Sequence, residues 1–475
     1  MTTKDTSLSF CVLSCLYQGA WRLARPFLRC NRRLRDGWDE RLAPEGWVPP
    51  FSGVTLWIQA ASGGEAYLLV NIARELLETW DASAAKERLR ILATVCTRQG
   101  MDVLKRFQEQ GEWQKGEFLP RFLPLDEPRL MERAISQAHP CQIILLETEL
   151  WPGLLGAARQ AGVPVLLLNG RLTPKSLSGY QKLPDSFWAG LAPERILAVS
   201  EADAQRFARL FGSERTGIMS NIKFDLIPAV RDAAPGGQPV SAGQAEALEK
   251  GQSCPIGPGG SGQDKAFTSA PLILFASVRK QEAKQVAAAI RLFKEMRPHC
   301  VLVLAPRHLH HADLWRLTMQ RNGLESVLRS ELPAPDGAAP AQVLEVCSAK
   351  DRVLIWDRFG ELKQLYAEAA AAYVGGSLAP LGGQNFMEAL AVGLRPCVGP
   401  YIDNFLWVGD SILEMLHHAP DAPALALALA GELDNPQPKS RLREEFFQRV
   451  QSRQGGTRQA VEAILAGLDA VLAQR

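Results

Sequence analysis

A glycine-rich segment at residues 375–388 has the residue types that bind a phosphate and a ribose. Its four glycines allow backbone N–H groups to approach a ligand without interference from a Cβ atom, and a helix that begins near Asn385 would direct its positive end toward an anion. Glu388 lies about one helical turn after Asn385, where a carboxylate can accept hydrogen bonds from two ribose hydroxyls. Taken alone, the segment is explained equally well as a turn between a strand and a helix, with Glu388 exposed to solvent.

A second glycine-containing loop, residues 59–65, connects an apolar run to a helical pattern in the first half of the chain. Apolar residues follow at helical spacing from Leu68 to Leu77, so Glu65 is predicted to lie in the first turn of a helix. The partial positive charge of the helix N-terminus keeps such a carboxylate ionised near neutral pH. A glutamate that only complements the helix dipole would give the same pattern.

Ten apolar runs separated by helical patterns would position these loops. Continuous apolar runs of this length are typical of parallel strands that are covered on both faces, so the sequence predicts an α/β fold with two doubly wound, Rossmann-like domains. The runs lie at residues 54–58, 89–95, 142–146, 164–168, 195–199, 272–276, 300–305, 353–356, 369–374 and 396–399. Ligands bind outside the carboxyl ends of parallel strands, so we expect the domains to face a central cleft, with a nucleotide on one domain and an acceptor on the other.

The pattern divides the chain into five segments. Residues 37–229 and 271–435 are the two predicted domains, with the acceptor on the first and the nucleotide on the second. Residues 230–270 are rich in Gly, Pro, Ser and Gln and are predicted to be a flexible linker. Residues 436–475 are helical by pattern, and we expect them to cross back to the first domain.

The N-terminal segment, residues 1–36, combines apolar stretches with a cluster of arginines. Residues 8–28 are too often interrupted for a membrane-spanning helix, which needs about 20 predominantly apolar residues. The arginines suit a helix that lies on an anionic cytoplasmic membrane surface, and they stand at positions 22, 25, 29, 32, 33 and 35. A helix packed on the protein's own surface is the alternative.

Composition narrows the class of protein. The chain has 475 residues, of which 47% are hydrophobic, and a net charge of +2, which favours a large soluble enzyme and argues against a dedicated nucleic-acid binder. The nine cysteines contain no CxxC pair, and the seven histidines show no HExxH spacing. We therefore expect reduced cysteines and no metal site.

Several short motifs, taken together and in order, resemble the 3-deoxy-D-manno-octulosonic acid (Kdo) transferases of lipopolysaccharide synthesis. They lie at residues 61–65, 147–152, 169–172, 200–203, 221–225, 305–308, 360–362 and 375–388, and so span nearly the whole chain. The resemblance implies a GT-B glycosyltransferase attached through its N-terminus to the cytoplasmic side of the inner membrane. It also implies inverting transfer of Kdo from CMP-Kdo to a lipid A precursor (lipid IVA), without a metal or other cofactor.

The resemblance also implies roles for individual residues. Glu65 matches the general base that takes a proton from the acceptor hydroxyl, and Glu149 and Lys223 match residues that stabilise the transition state. The implied substrate-binding residues are Ser62, Gly63, Gly64, Ser277, Glu282, Pro306, Arg307, Gly360, Glu361, Leu362, Gly376, Ser377, Asn385, Phe386, Met387 and Glu388.

Some of these residues have plainer interpretations when the resemblance is set aside. Glu149 could cap a helix that begins at Pro152. Lys223 could be an exposed loop lysine, and Glu282 a solvated residue at a helix start.

Four positions depart from the family's pattern. Gln59, Arg279 and Gln384 stand where a histidine is usual, and Ala389 stands where a proline is usual. Glutamine can donate and accept hydrogen bonds but cannot carry a proton, and Arg279 adds a fixed positive charge near an anionic donor. We expect an active enzyme. The alternatives are a related glycosyltransferase with another donor sugar and a non-catalytic membrane-surface binding protein that kept the fold.

Overall fold

The structure is a computed structural model that describes residues 8–29, 31–83, 86–111, 113–227, 270–332, 343, 352–358 and 360–473. The chain divides into two compact units. The first contains the described residues up to 227 together with 453–473, and the second contains the described residues from 270 to 452. Apart from Ala270, the predicted linker lies outside the described residues.

The first unit is built on a seven-stranded parallel sheet with the strand order β3-β2-β1-β4-β5-β6-β7. Its strands are β1 (Val54–Ala60), β2 (Leu89–Val95), β3 (Gly116–Phe122), β4 (Gln142–Leu146), β5 (Val165–Gly170), β6 (Arg195–Ala198) and β7 (Thr216–Ile218). Its helices are α1 (Leu8–Leu28), α2 (Arg32–Arg35), α3 (Gly63–Ala82), α4 (Arg98–Gln110), α5 (Pro128–Ala138), α6 (Pro152–Ala161), α7 (Pro174–Tyr180), α8 (Asp185–Gly190) and α9 (Glu201–Phe211).

The central strands of this sheet are buried on both faces, which explains their unbroken apolar runs. Leu56 and Ile58 belong to a core formed with α3 and α4, whereas Trp57 belongs to a core formed with α5, α6 and α8. Helices therefore cover both faces of the sheet, and the predicted doubly wound arrangement is confirmed for this unit.

The second unit repeats the plan with the strand order β10-β11-β9-β8-β12-β13-β14. Its strands are β8 (Leu272–Val278), β9 (Val301–Pro306), β10 (Ser326–Leu328), β11 (Val353–Ile355), β12 (Ala371–Val374), β13 (Cys397–Val398) and β14 (His417–His418), and all neighbours are parallel. Its helices are α10 (Ala283–Met296), α11 (Ala312–Arg321), α12 (Leu362–Glu368), α13 (Met387–Ala391), α14 (Asp410–Leu413), α15 (Ala422–Asp434) and α16 (Lys439–Gln451). The cleft expected between the domains stays a prediction.

The last helix, α17 (Gly456–Leu472), belongs to the first unit. Its apolar residues Ala460, Val461, Ile464 and Leu468 are buried in the same core as α3. The segment predicted at residues 436–475 is thus divided, because α16 belongs to the second unit and α17 to the first.

Helix α1 lies on the surface of the first unit and is joined to it by polar contacts. The Tyr17 hydroxyl donates a hydrogen bond of 2.6 Å to the buried Asp126 carboxylate, and Arg25 lies 3.5 Å from Glu127. Asp126 also accepts the N–H groups of Gly153 and Leu154 at the start of α6. Among the helices of the described residues, none has the length and apolar character needed to cross a membrane.

Replacing Tyr17 with Phe is expected to lower the free energy of unfolding by about 1–3 kcal/mol, because a hydrogen bond to a buried carboxylate is lost. Burial raises the pKa of Asp126 to about 6. Since this value lies above the usual range, the stability that the wild-type carboxyl contributes falls as pH rises through about 6. The Tyr17 hydroxyl favours the ionised form of Asp126. The loss in Tyr17→Phe should therefore be larger near pH 7.5, where the carboxyl is ionised, than near pH 5, as urea unfolding at roughly these two pH values would show.

The exposed Tyr401 of the second unit offers a matched control, because Tyr401→Phe removes a hydroxyl without disturbing Asp126. Equal unfolding curves for Tyr17→Phe and Tyr401→Phe at both pH values would contradict the stabilising role of the Tyr17 contact.

Candidate active site

The predicted site residues gather where the strand order of each sheet reverses. In the first sheet β1 lies between β2 and β4, and in the second β8 lies between β9 and β12. Such switch points leave a crevice outside the carboxyl ends of the strands, and ligands bind there. Glu65 and Glu149 follow β1 and β4, respectively, whereas Ser277 lies at the end of β8 and Gly376 follows β12.

Glu65 is held in the first turn of α3 by a reciprocal cap. Ser62 is the N-cap residue and accepts the Glu65 N–H at 3.3 Å, while the Glu65 carboxylate accepts the Ala61 N–H at 2.7 Å and the Ser62 hydroxyl at 2.9 Å. Gly63 and Gly64 are the first residues of the helix. These hydrogen bonds therefore fix the Glu65 carboxylate beside the loop between β1 and α3.

Electrostatics make Glu65 more basic than an ordinary glutamate. Burial raises its pKa above the usual value, and the nearby Glu147 carboxylate acts in the same direction. The Ala61 N–H, the Ser62 hydroxyl and the Lys223 ammonium oppose the rise. A carboxylate with a raised pKa is better suited to accept a proton near neutral pH.

Glu149 lies on the loop between β4 and α6, and it does not cap α6. Its carboxylate accepts the indole N–H of Trp151 at 2.6 Å, whereas the α6 N–H groups bind Asp126. Burial, followed by the charge of Glu65, raises the pKa of Glu149 to about 7. The protonation of either carboxylate therefore changes the pKa of the other.

Gln59, the first departure from the family's pattern, is fully buried at the end of β1. It accepts the Thr94 hydroxyl at 2.5 Å and donates to the Ala60 carbonyl at 3.0 Å, and its amide also favours the ionised form of Glu149. Gln59 is therefore part of the support beneath Glu149.

Lys223 lies in a short 3₁₀ turn, Ile222–Phe224, after β7. Its ammonium is 2.5 Å from a Glu147 carboxylate oxygen, and its side chain is only 23% exposed. Asn221 accepts the Lys223 N–H at 3.0 Å, and Asn169 accepts the Ile222 N–H at 2.9 Å. The interpretation of Lys223 as an exposed loop lysine is therefore wrong.

The 3₁₀ turn that carries Lys223, Ile222–Phe224, is called the lysine turn below. Residues 455–457, at the start of α17, hold its other end. The Asp225 carboxylate accepts the N–H groups of Gly455 and Thr457 and the Thr457 hydroxyl, at 2.6 to 2.7 Å. A Cβ atom on Gly456 would lie 2.4 Å from the Ser220 carbonyl oxygen, so glycine is needed for this close approach. Helix α17 thus fixes the backbone that carries Lys223.

In the second unit, hydrogen bonds to the Glu282 carboxylate hold the glycine-rich turn, residues 375–388, in place. Glu282 is 1% exposed and accepts hydrogen bonds from the Tyr373 hydroxyl at 2.8 Å, the Gly376 N–H at 2.7 Å and the Arg279 N–H at 2.8 Å. The interpretation of Glu282 as a solvated residue is therefore wrong, because its carboxylate joins the end of β8 to the turn after β12.

The start of the glycine-rich turn is tightly packed. A Cβ atom on Gly375 would lie 2.6 Å from the Val278 Cα atom and 2.7 Å from Glu282. The buried Ser377 donates to the Val374 carbonyl at 2.7 Å and accepts the Gly399 N–H at 2.8 Å. Gly376 has a φ of +70°, a conformation that favours glycine. These contacts give the turn one defined shape.

The end of the turn carries the polar residues expected to meet a ribose or phosphate. Asn385 and Glu388 are exposed and joined by a 2.9 Å hydrogen bond, and Asn385 also accepts the Met387 N–H. Phe386 is fully buried against Phe405, so its side chain anchors the turn. The helix begins at Met387 and has five residues, so its dipole is weaker than the sequence suggested.

The remaining predicted donor residues lie at neighbouring strand ends. Pro306 ends β9, and the Arg307 N–H donates to the Val278 carbonyl at 2.9 Å. The Arg307 guanidinium is exposed and lies within electrostatic range of Glu388. Gly360 has a φ of +90° and precedes Glu361, the N-cap residue of α12. Glu361 accepts the Trp356 indole N–H at 2.9 Å, and Leu362 is the first residue of α12.

The other departures from the family's pattern also lie at this end of the second sheet. Arg279 precedes the 3₁₀ turn Lys280–Glu282, and the Gln384 side chain lies against Gly376 and donates to the Gly383 carbonyl. Ala389 is buried in α13.

The most informative residue that motif matching left without a role is Glu147. It lies in the 147–152 motif, but only the fold shows that it pairs with Lys223. Asn169 and Asp225 also lie in motifs, at residues 169–172 and 221–225, and both support the turn that carries Lys223.

Comparison with known proteins indicates the kind of enzyme to which this chain is similar. The sequence model of a family described as 3-deoxy-D-manno-octulosonic-acid transferase (kdotransferase) matches residues 36–226, which include Glu65, Glu149 and Lys223. The chain resembles the members of this family. The name of the family supports a glycosyltransferase, so the expectation of an enzyme is confirmed.

Two relatives with this name match most of the chain. The 3-deoxy-D-manno-octulosonic acid transferase of Bordetella pertussis is 29% identical over 82% of this chain and 78% of its own. The transferase of the same name from Haemophilus influenzae is 25% identical over 88% of this chain and 87% of its own.

A crystal structure of a glycosyltransferase from Rickettsia africae resembles the fold. It superimposes with a TM-score of 0.52 at 12% identity and covers 89% of this chain and 99% of its own. Two Rossmann-like units of the GT-B type are therefore shown.

Proposed function

We propose that this protein is an inverting glycosyltransferase that moves Kdo from CMP-Kdo to a lipid A precursor, lipid IVA, in lipopolysaccharide core biosynthesis. The observation that carries the proposal is the group formed by Glu65, Glu149 and Lys223 at the switch point of the first sheet, in a chain that resembles the Kdo transferase family. A basic carboxylate there, beside a second carboxylate and an ammonium, supplies the charges that glycosyl transfer needs.

In the proposed reaction, Glu65 takes the proton of an acceptor hydroxyl as the oxygen attacks the anomeric carbon of Kdo. The new C–O bond forms while the bond from the anomeric carbon to the CMP phosphate oxygen breaks, and CMP leaves with the bonding electrons. Attack from the opposite face inverts the anomeric centre. Glu149 stabilises the positive charge that develops on the sugar, and Lys223 stabilises the negative charge of the leaving group.

The second unit is proposed to bind CMP-Kdo. Arg307 would make a bidentate contact with the phosphate or with the Kdo carboxylate, and Asn385 and Glu388 would bind the phosphate and the ribose. The backbone of residues 360–362 would meet the cytosine. Arg307 and Lys223 already provide positive charge, so the proposed reaction uses no metal or other cofactor.

Charge around the second switch point favours an anionic donor over a neutral sugar nucleotide. Slight burial, followed by the guanidinium groups of Arg279 and Arg307, lowers the pKa of the exposed His308 below its usual value. Arg279 follows β8 and Arg307 follows β9, so both positive charges act on the same end of the sheet. A related donor sugar with its own acidic group would fit the same charge, and a non-catalytic binding protein would not need Glu65 to be basic.

The test is transfer by the purified protein from freshly generated CMP-Kdo to lipid IVA, followed by mass spectrometry. A gain of one Kdo mass, or a multiple of it, supports the proposal. Binding of CMP without transfer from CMP-Kdo, combined with transfer from another CMP-sugar in a donor screen, would favour the related glycosyltransferase. The absence of both binding and transfer would favour the non-catalytic alternative.

We also propose attachment to the cytoplasmic face of the inner membrane through α1. Leu16, Leu23 and Phe27 are 64%, 77% and 78% exposed and recur at helical spacing, so they share one face of the helix. Arg22 is also exposed on this helix, and Arg29 is exposed just after its end. An apolar face flanked by arginines suits a helix that lies in the surface of an anionic leaflet.

Replacing Leu16, Leu23 and Phe27 together with Ser is expected to release the protein from anionic vesicles. Burial of each apolar side chain in the membrane is worth about 1.5–3 kcal/mol, so the triple variant should lose most of the affinity. Vesicle sedimentation measures the effect, and Leu427→Ser is a matched control because Leu427 is 64% exposed in the second unit. Wild-type binding should weaken as salt rises, and a triple variant that still sediments would contradict the role of α1.

A further inference from the structure

We propose that Glu147 is a positioning residue that holds the Lys223 ammonium in its working place and keeps it from neutralising Glu65. The inference rests on the proposed function and adds a residue to the machinery of the same site. Four observations carry it: the ion pair, the backbone of Glu147, the anchoring of the lysine turn and the charges around the pair.

The ion pair is close and mostly shielded from water. The Lys223 Nζ lies 2.5 Å from a Glu147 carboxylate oxygen, and the two side chains are 23% and 14% exposed. Exposed ion pairs are worth little because water screens them and long side chains stay mobile. A pair this close, with both side chains mostly shielded, instead restricts where the ammonium can stand.

The backbone of Glu147 is held in an unusual conformation. Its φ is +58°, in the left-handed region that side chains other than glycine rarely adopt. Such a conformation is strained and persists only where the surroundings enforce it. Here the Glu147 N–H donates to the Leu168 carbonyl at 3.0 Å, which joins the end of β4 to β5. The direction in which the side chain leaves the backbone is thereby set.

The backbone of Lys223 is fixed independently of Glu147. Asn221 and Asn169 bind the N–H groups at the start of the turn, and Asp225 binds Gly455 and Thr457 at its end. With the backbone fixed, the position of the ammonium depends on the several rotatable bonds of the lysine side chain. Glu147 restrains the far end of that side chain.

The charges around Lys223 give the restraint a chemical purpose. Glu65 is influenced by both Glu147 and Lys223, and Glu149 is influenced by both Glu65 and Glu147. An unrestrained ammonium among these groups would be drawn to the base Glu65, where it would favour the ionised carboxylate and make it a poorer proton acceptor. By pairing with Lys223, Glu147 leaves Glu65 available for the acceptor proton.

The first experiment is a double-mutant cycle on Kdo transfer with Glu147→Gln and Lys223→Met. Misplacement of one catalytic charge is expected to lower kcat by roughly 10- to 100-fold in Glu147→Gln, with CMP binding unchanged. In the Lys223→Met background, Glu147→Gln should cause no further loss of kcat. An equal loss of kcat in both backgrounds would overturn the proposal, since Glu147 would then act without the lysine.

The pH profile of kcat distinguishes positioning from a general structural defect. Removing the Glu147 charge should lower the pKa of Glu65, so the acid limb of the profile should move to lower pH in Glu147→Gln. Removing the Lys223 charge should move the acid limb to higher pH. Shifts in the same direction would contradict the arrangement, because loss of structure gives no reason for opposite shifts.

A second experiment needs no activity and so separates this inference from the proposed function. Limited acetylation with mass spectrometry should show Lys223 protected in the wild type and more reactive in Glu147→Gln, with exposed Lys175 unchanged. The exposed Glu132 gives the control variant Glu132→Gln. Unchanged Lys223 reactivity in Glu147→Gln would overturn the proposal even if the enzyme's substrate proves to be different. Should Glu147→Gln not fold, the same labelling of Glu147→Asp decides, with increased Lys223 reactivity expected from the shorter side chain.

Discussion

Glu65→Gln is expected to lower the rate of Kdo transfer by about 10²- to 10⁴-fold while leaving CMP binding intact, because the variant cannot take the acceptor proton. Glutamine has nearly the same shape, and its carbonyl oxygen can still accept one of the two hydrogen bonds that the Ala61 N–H and the Ser62 hydroxyl donate. The cap of α3 should therefore survive. Single-turnover transfer followed by mass spectrometry measures the rate, and calorimetry measures CMP binding.

Glu78→Gln is the matched control, because Glu78 is an exposed glutamate on the same helix. It should behave like the wild type in both measurements. Equal transfer rates for Glu65→Gln and the wild type would refute the assignment of Glu65 as the base. A variant that loses CMP binding as well would show instead that Glu65 supports the donor site or the fold.

The pH dependence provides a second view of the same residue. Burial raises the pKa of Glu65, and burial raises that of Glu149 to about 7. The wild-type rate should rise with pH in the range where these carboxyls lose their protons, because the base works only when ionised. In Glu65→Gln, the residual rate should no longer show the rise with pH that comes from ionisation of the Glu65 carboxyl.

The strands that the sequence predicts are the inner ones of each sheet, and the strands it misses are β3, β7, β10 and β14, which all lie at sheet edges. Inner strands are covered on both faces and therefore have unbroken apolar runs. Edge strands need no such run. In β3, Glu117, Pro120 and Arg121 interrupt the apolar pattern, and a proline is tolerated in a strand chiefly at an edge.

The candidate site was predictable where its residues are held by near neighbours. Ser62 and Glu65 form a cap within one helical turn, so their spacing in the sequence is enough to place them. The Glu147–Lys223 pair and the contacts of Glu282 join segments that are far apart in the chain. No local pattern encodes such contacts, which is why Lys223 looked like a loop residue and Glu282 like a solvated one.

In each unit, a glutamate after the first strand accepts a backbone N–H from a residue shortly before it, but the two glutamates have different roles. Glu65 follows the first strand of its unit and accepts the Ala61 N–H, and Glu282 follows the first strand of its own unit and accepts the Arg279 N–H. Glu65 stays partly accessible, whereas Glu282 is buried beneath the glycine-rich turn. Accessibility therefore separates the proposed proton acceptor from the structural carboxylate.

Glu282→Gln is accordingly expected to destabilise the second unit by about 2–5 kcal/mol, because the amide cannot accept all the hydrogen bonds that converge on the carboxylate. The Tyr373 hydroxyl and the N–H groups of Arg279 and Gly376 are donors, and an NH₂ group placed against any of them leaves a buried donor without an acceptor. The turn that these groups hold should loosen, so CMP binding should weaken as well.

Urea unfolding and CMP calorimetry test this prediction, with Gln281→Ala as the control because Gln281 is an exposed neighbour in the same 3₁₀ turn. The contrast with Glu65→Gln is the sharper part of the argument. If Glu282 is structural and Glu65 is the base, Glu282→Gln should lose stability and CMP affinity, whereas Glu65→Gln should lose only turnover. A Glu282→Gln protein as stable as Gln281→Ala, with undiminished CMP affinity, would mean that the buried carboxylate does not hold the turn.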